Sequence, residues 1–323
     1  YGWGKWRLWF GPGARFAEDR FVRIPSGAGL VQAMVSLRSA GVLADERAFR
    51  LLARQKKYTD RVRPGRYRIT GGMSMNALVN KLRAGEQDPV RVTFNNIQRL
   101  PQLAGRLAHY LEPDSLAFLH AFNDPDNIHA SGLDAANFIG AFLPDTYELW
   151  WTTTPAAFLA RMQRERTAFW TDERTAKARA FRLSPAEVTT LASIVQAETM
   201  RMDDAPKIAG VYLNRLRIGM PLQADPTLKF ALGLDSIRRV LDRDKLVDSP
   251  YNTYRHAGLP PGPINMPAPR FIDAVLNAPR HDHLYFCAKA DMSGYSEFSR
   301  TYEQHLVHAR RYQRALNERG IRR

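Results

Sequence analysis

The chain has 323 residues, enough for two domains or for one large domain with a smaller module. With 45% hydrophobic and 11% aromatic residues it can build a core, which excludes a disordered composition. The net charge of +15 implies an anionic partner (nucleic acid, anionic lipid, or an acidic polymer such as the bacterial cell wall), and the single Cys287 excludes an internal disulfide and any cysteine-cluster metal site.

The opening Tyr1–Phe10 interleaves Trp3, Trp6 and Trp9 with Lys5 and Arg7, the composition of a membrane-interface belt. It reads either as a stretch lying just after an N-terminal membrane anchor missing from this chain or as an aromatic strand packed on the body. No apolar run reaches the roughly 18 residues of a membrane span. Phe21–Ile24 alternates and ends at the turn Pro25-Ser26-Gly27. Leu30, Met34, Val35 and Leu37 mark the apolar side of a helix closing at Gly41. Ala48, Leu51 and Leu52 do the same for a helix over 45–56. Arg66–Ile69 reads as a strand, and Met75, Leu78, Val79 and Leu82 as the inner face of a helix over 74–83 that Gly85 stops. Residues 21–90 thus make a compact module without a catalytic constellation, residues 1–20 a juxtamembrane segment ahead of it, and residues 91–323 a larger domain.

The larger domain opens on the alternating strand Val90–Phe94. Helices near 100–111 and 115–122 come next, then a turn at Asn123–Asn127, an apolar run over Phe138–Tyr147, and one long charged surface helix over 155–181. Ser184, Pro185 and Glu187 form a helix-start signature: a side-chain cap, a proline at the first helical position and a capping-box glutamate. Val188, Leu191 and Val195 recur at helical spacing, and Glu198 falls next on that stripe. A carboxyl group held against apolar surface keeps its proton to higher pH, as a general acid requires. The other reading ends the helix near Glu198 and leaves the carboxylate in water. A second helix over 207–217 places Ile208, Val211, Tyr212 and Arg215 on one face, with Gly219 as its stop.

Three segments then look like walls of a groove: the polar loop Leu222–Thr227, Ser249–Tyr254, and the proline-rich 258–263. Tyr147, Tyr212, Tyr251, Tyr254, Asn214 and Asn252 suit the hydroxyls and ring faces of sugars. Glycosidic cleavage needs a proton on the leaving oxygen, and a two-carboxylate mechanism would draw its second group from Asp225 or Asp145. Leu284–Ala288 reads as a buried strand carrying Cys287, and His281 and His283 as a solvated turn. The sequence has no HExxH motif and shows no metal or organic cofactor site.

The segments 191–199, 214–220, 222–227, 249–254 and 258–264, with Phe142–Tyr147 and Arg63–Tyr67, closely resemble the endolytic murein transglycosylases, the YceG-like (MltG) family. The resemblance runs from about residue 21 over nearly the whole chain. It implies an α+β fold with a small LysM-like module ahead of a catalytic domain of helices on short, mostly antiparallel strands. It also implies a single-pass protein of the bacterial inner membrane whose catalytic domain faces the periplasm. The implied reaction cuts nascent glycan strands internally between MurNAc and GlcNAc and leaves 1,6-anhydroMurNAc ends. The implied catalytic residue is Glu198, first as acid and then as base. The groove residues Asp145, Tyr147, Asn214, Arg215, Gln223, Asp225, Thr227, Tyr251, Asn252, Thr253 and Tyr254 are the expected substrate contacts. Peptidoglycan strands are the expected partner, peptidoglycan synthases (penicillin-binding proteins) a further one, and nucleic acid is not expected.

Two departures from the family pattern stand out. Gln196 occupies a position where many relatives carry glutamate, which leaves Glu198 as the candidate acid. Ser296 and Leu306 replace a histidine and an asparagine, so contacts from that segment are in doubt, although His305 is retained. Residues alone do not separate the transglycosylase from a hydrolytic muramidase on the same scaffold. A non-catalytic cell-wall binder is disfavoured by an acid on an apolar stripe.

Overall fold

The structure is a computed structural model that describes residues 16, 18–43, 45–233 and 240–319. The reading of Tyr1–Phe10 lies outside these residues. The fold is mixed α+β, mostly helical, with three two-stranded sheets among the described residues. In chain order the elements are β1 (Arg20–Ile24), α1 (Leu30–Ser39), α2 (Glu46–Gln55), β2 (Gly65–Ile69), α3 (Met75–Ala84), β3 (Val90–Phe94), α4 (Leu100–Tyr110), α5 (Ser115–Asn123) and α6 (Pro125–Ala130). A 3₁₀ turn (Phe138–Ala141) leads to β4 (Asp145–Leu149), α7 (Pro155–Phe169), α8 (Asp172–Ala180), α9 (Pro185–Glu198), α10 (Ala205–Arg217) and α11 (Asp225–Leu232). A second 3₁₀ turn (Asp242–Leu246) precedes α12 (Pro269–Leu276), β5 (Tyr285–Ala288), β6 (Ser296–Ser299) and α13 (Tyr302–Glu318). No helix of the described residues is long and apolar enough to cross a membrane.

The chain divides into two compact units. The first holds the residues up to Thr93, with 104–119 and 146–158. Its core gathers Val22 and Ile24 from β1, Tyr67 and Ile69 from β2, and the inner faces of α1, α2 and α3. The two strands pair antiparallel, Val22 opposite Tyr67, so alternation puts these four side chains inward. Two sequence expectations fail here. Val35 and Leu51 are 43% and 56% exposed, because Met34 and Leu37 set the inner arc of α1 and Phe49, Leu52 and Ala53 set that of α2.

The second unit holds 94–103, 120–145 and 159–323, and its core is helix packed on helix. α9 lies at the centre: Val188, Leu191, Ala192, Ile194 and Val195 are fully buried against α10 and α12. The capping box appears as expected, with Ser184 Oγ accepting from the Glu187 N–H and Glu187 accepting from the Ser184 N–H. The expected long helix over 155–181 is two helices, because the Thr171 hydroxyl accepts from the Arg174 N–H and starts a new one. Asn123–Asn127 is not a plain turn, since Asp124 caps α6. The polar loop 222–227 runs into α11, with Pro226 in its first turn. β5 is a strand, but it is half-buried rather than buried.

Backbone meets backbone closely at Gly262, where a Cβ would overlap the Ala136 carbonyl and come within 3.3 Å of the Asn137 N. Asn137 Nδ2 donates to the Pro261 carbonyl across the same contact, at 2.9 Å. Gly262→Ala is expected to destabilise the protein by about 1–3 kcal/mol, because backbone cannot yield as a flexible side chain does. A lowered urea midpoint at unchanged slope would register it, and an unchanged midpoint would show that the loop shifts freely.

Candidate active site

The site begins with the polar side of α9. Ser193 Oγ donates to the Thr190 carbonyl and accepts from the Ile264 N–H at 3.0 Å, while Asn265 Nδ2 donates to the Ser193 carbonyl at 2.9 Å. One turn on, Gln196 uses both ends of its amide. Its Oε1 accepts from the Ala268 N–H at 2.8 Å and its Nε2 donates to Asn265 Oδ1 at 3.1 Å. These bonds lace the segment 264–268 along the helix. Glu198 is its last residue, and the chain turns away at Thr199 in extended conformation.

Glu198 therefore sits where the apolar stripe ends, half-buried as a residue but with its carboxyl group deep among protein atoms. Tyr212 of α10, itself buried, donates its hydroxyl to Glu198 Oε1 at 2.7 Å. Burial raises the Glu198 pKa from 4.5 to about 7, and the nearby Asp225 raises it too, against the Tyr212 hydrogen bond and the charges of Lys229 and Arg215. The C-terminal end of a helix also disfavours a negative charge. Burial, then the carboxyl of Glu198, push the Tyr212 phenol well above its ordinary value, so it stays a neutral donor.

α10 fixes both walls. Arg215, 6% exposed, donates Nε to the Leu284 carbonyl at 2.7 Å and Nη1 to the Leu222 carbonyl at 2.6 Å. Asn214 Nδ2 donates to the carbonyls of His281 (2.7 Å) and His283 (3.1 Å). His281, which the sequence suggested to be solvated, is packed: a Cβ on Gly210 would come within 2.5 Å of its Nε2. At the start of α10 the buried Asp204 accepts the Ser296 N–H at 2.5 Å and so holds β6.

Between these walls lies a cavity of about 880 Å³. Of the residues singled out from sequence, Glu198, Tyr212, Arg215, Gln223, Asp225 and Tyr254 line it. Tyr254 donates its hydroxyl to Asp225 Oδ1 at 2.6 Å. Thr227 and Thr253 do not reach it. They are buried behind the wall, where their hydroxyls pair at 2.9 Å and the Thr253 Oγ1 accepts from the Ala224 N–H. Asn252 is likewise buried and donates to the carbonyls of Lys245 and Val247. Tyr251 packs on Phe230, with ring centroids 4.8 Å apart. Asn214, Asp145 and Tyr147 are outside the cavity lining too: Asp145 is exposed, and Tyr147 is buried in the first unit.

Sequence reasoning raised only Ser296 and His305 of the opposite wall, both of which line the cavity, and missed its aromatic residues. Tyr302, His305, Ala309 and Tyr312 of α13 line the cavity, as do Tyr285 of β5 and Tyr295. The spacing of the four α13 residues by three, four and three is a helical face that could have been read. His305 stacks on Tyr285 with centroids 5.5 Å apart and planes at 24°. Burial, then the charges of Arg215 and His308, lower its pKa below the ordinary imidazole value. Among the described residues no group of three or more His, Cys, Asp or Glu could hold a metal ion. The arrangement can deliver one proton from a carboxyl group into an aromatic, hydroxyl-rich cavity and take one back.

Three comparisons with known proteins bear on this geometry. The model of the family described as the YceG-like family matches residues 22–311. The chain is 27% identical over 312 residues to a protein named endolytic murein transglycosylase from Bacillus subtilis, covering 92% of this chain and 86% of that one. It is 29% identical over 302 residues to one of the same name from Streptococcus pneumoniae, covering 83% of this chain and 54% of that one. Among solved structures, a yceG-like protein from Listeria monocytogenes superposes with a TM-score of 0.61 at 27% identity, covering 90% of this chain and 98% of that one.

Proposed function

The chain belongs to the YceG-like family, and from that premise we propose that it is an endolytic lytic transglycosylase acting on peptidoglycan. The observation that carries this reading is the Glu198 carboxyl group, hydrogen-bonded to Tyr212 and poised with a pKa of about 7 on the wall of the cavity. Tyr212 occupies Oε1, which leaves Oε2 to carry the proton. The protonated acid donates it to the glycosidic oxygen between MurNAc and GlcNAc as the C1–O bond breaks. The resulting carboxylate then accepts the proton of the MurNAc 6-hydroxyl while that oxygen closes on C1, giving the 1,6-anhydro end without water. One carboxyl group serves both steps, and Asp225 is not needed as a nucleophile. Arg215, Gln223 and Tyr254 are the proposed contacts to the glycan within the cavity. Asn214, Thr227, Tyr251, Asn252 and Thr253 would act on the substrate only through the wall they support.

In the same reading residues 21–90 form a LysM-like module and residues 91–323 the YceG-like catalytic domain. Residues 1–20 are juxtamembrane, and the enzyme works at the periplasmic face of the bacterial inner membrane. Its cuts would limit the length of strands made by peptidoglycan synthases. The test is mass spectrometry of products from purified glycan strands. Internal fragments one water lighter than reducing-end fragments are expected. Reducing ends would turn the reading to a hydrolytic muramidase, and intact strands to a binding protein.

The pH dependence comes from the same group. Activity needs protonated Glu198, so the rate is expected to fall about tenfold per pH unit above about 7. Tyr212→Phe removes a bond that favours the charged carboxylate, and is expected to move this alkaline limb upward while slowing turnover about tenfold. A limb that stays in place would mean that Tyr212 does not set the acidity of Glu198.

A further inference from the structure

The charge of the chain is not spread evenly. Residues 20–91 hold 15 of the Lys and Arg residues against five Asp and Glu, an excess of ten out of the net +15. On α2 that excess is organised. Arg47, Arg50 and Arg54 are exposed and make no ion pair or side-chain hydrogen bond among the described residues. Helical geometry puts them, together with Leu51, within an arc of about 100°, opposite the buried Ala48, Phe49, Leu52 and Ala53. Leu51, 56% exposed, sits at one edge of the arc, next to Arg47 and Arg54. None of these residues lines the catalytic cavity.

We propose that this outer face of α2 is a peripheral docking surface for an anionic lipid bilayer. The charge complementarity is direct: three guanidiniums present planar forks that match phosphate oxygens. A leucine among them can enter the interface while the cations stay at headgroup level, the pattern of a helix lying on a membrane surface. An anionic glycan would find less here, since these four side chains supply neither a groove nor an aromatic ring. The chain beyond the described residues points the same way. Phe10 closes the tryptophan-rich segment, and the ten residues from there to Arg20 span at most about 35 Å. A bilayer that held this segment would therefore keep α2 within reach of its surface. The inference does not depend on the proposed cleavage reaction.

The test is co-sedimentation of the full 323-residue chain with phosphatidylcholine vesicles, with and without about one-third phosphatidylglycerol. Each basic residue at an anionic surface strengthens binding about fivefold, so a triple variant (Arg47→Gln, Arg50→Gln, Arg54→Gln) should partition on the order of 10²-fold more weakly. The loss should vanish on pure phosphatidylcholine and shrink in high salt. Measuring it also in a Trp3→Ser, Trp6→Ser, Trp9→Ser background separates α2 from the N-terminal segment. Leu51→Gln, a single surface change, should weaken anionic-vesicle binding severalfold and leave binding to lipid-free sacculi unchanged. Partitioning of the triple variant equal to that of the parent would overturn the proposal. So would an equal loss of binding to sacculi, which would make the glycan polyanion the partner. Cleavage of soluble strands should be the same in all these variants.

Discussion

Glu198→Gln is expected to cut glycan strands about 10²–10⁴-fold more slowly than the wild type while folding normally. Glutamine keeps the shape of the side chain and keeps an oxygen that can accept from the Tyr212 hydroxyl. It lacks the proton that the leaving oxygen needs. It also lacks the base that would take the 6-hydroxyl proton afterwards, so both halves of the reaction are lost together. Chromatography of anhydro-ended fragments over time gives the rate, and circular dichroism shows that the fold is intact. Cleavage at the parental rate would remove Glu198 from the mechanism and turn attention to Asp225, the other carboxylate on the cavity wall.

The same substitution is expected to stabilise the protein at alkaline pH. The folded state holds the Glu198 proton up to about pH 7, whereas a free carboxyl releases it near 4.5. Between those values the native state binds more protons than the unfolded one, so stability falls as pH rises through this window. The loss is complete above about pH 7 and absent below about 4.5. A displacement from 4.5 to about 7 corresponds to roughly 3 kcal/mol of wild-type stability forgone at pH 8. Glutamine carries no such cost. Urea unfolding of both proteins at pH 4 and pH 8 should show the variant gaining by about that amount at pH 8 relative to pH 4. A difference that does not change with pH would mean that Glu198 is not held protonated by burial.

Much of this was legible from local pattern. The start of α9 is written in Ser184, Pro185 and Glu187, and the stripe Val188, Leu191, Val195 pointed to Glu198 because a helix repeats its faces. Leu51 misled because neighbouring leucines on a helix differ by about 100° in direction. Only packing decides whether Leu51 or Phe49 accompanies Leu52 into the core, and Phe49 does. The break between α7 and α8 was readable, since Thr171-Asp172-Glu173 is a cap with acidic residues directly after it. The role of Gln196 was not, because its partners Asn265 and Ala268 lie about 70 residues further along the chain. Nor did the sequence tell which polar loop residues face the cavity. Asn252 and Thr253 look as suited to sugar hydroxyls as Tyr254 does, yet their hydrogen-bonding capacity is spent on the backbone and on Thr227.

Arg215 joins the carbonyls of Leu222 and Leu284, which belong to opposite sides of the cavity, through one planar guanidinium. A lysine has a single nitrogen and cannot span them. The spacing of these two segments is thus tied to the size of one functional group, in the way a tie bar sets the gauge of two rails. Anyone reshaping the cavity can trim Tyr302 or enlarge Ala309 from the α13 side. A change at Arg215 would instead release both rails at once.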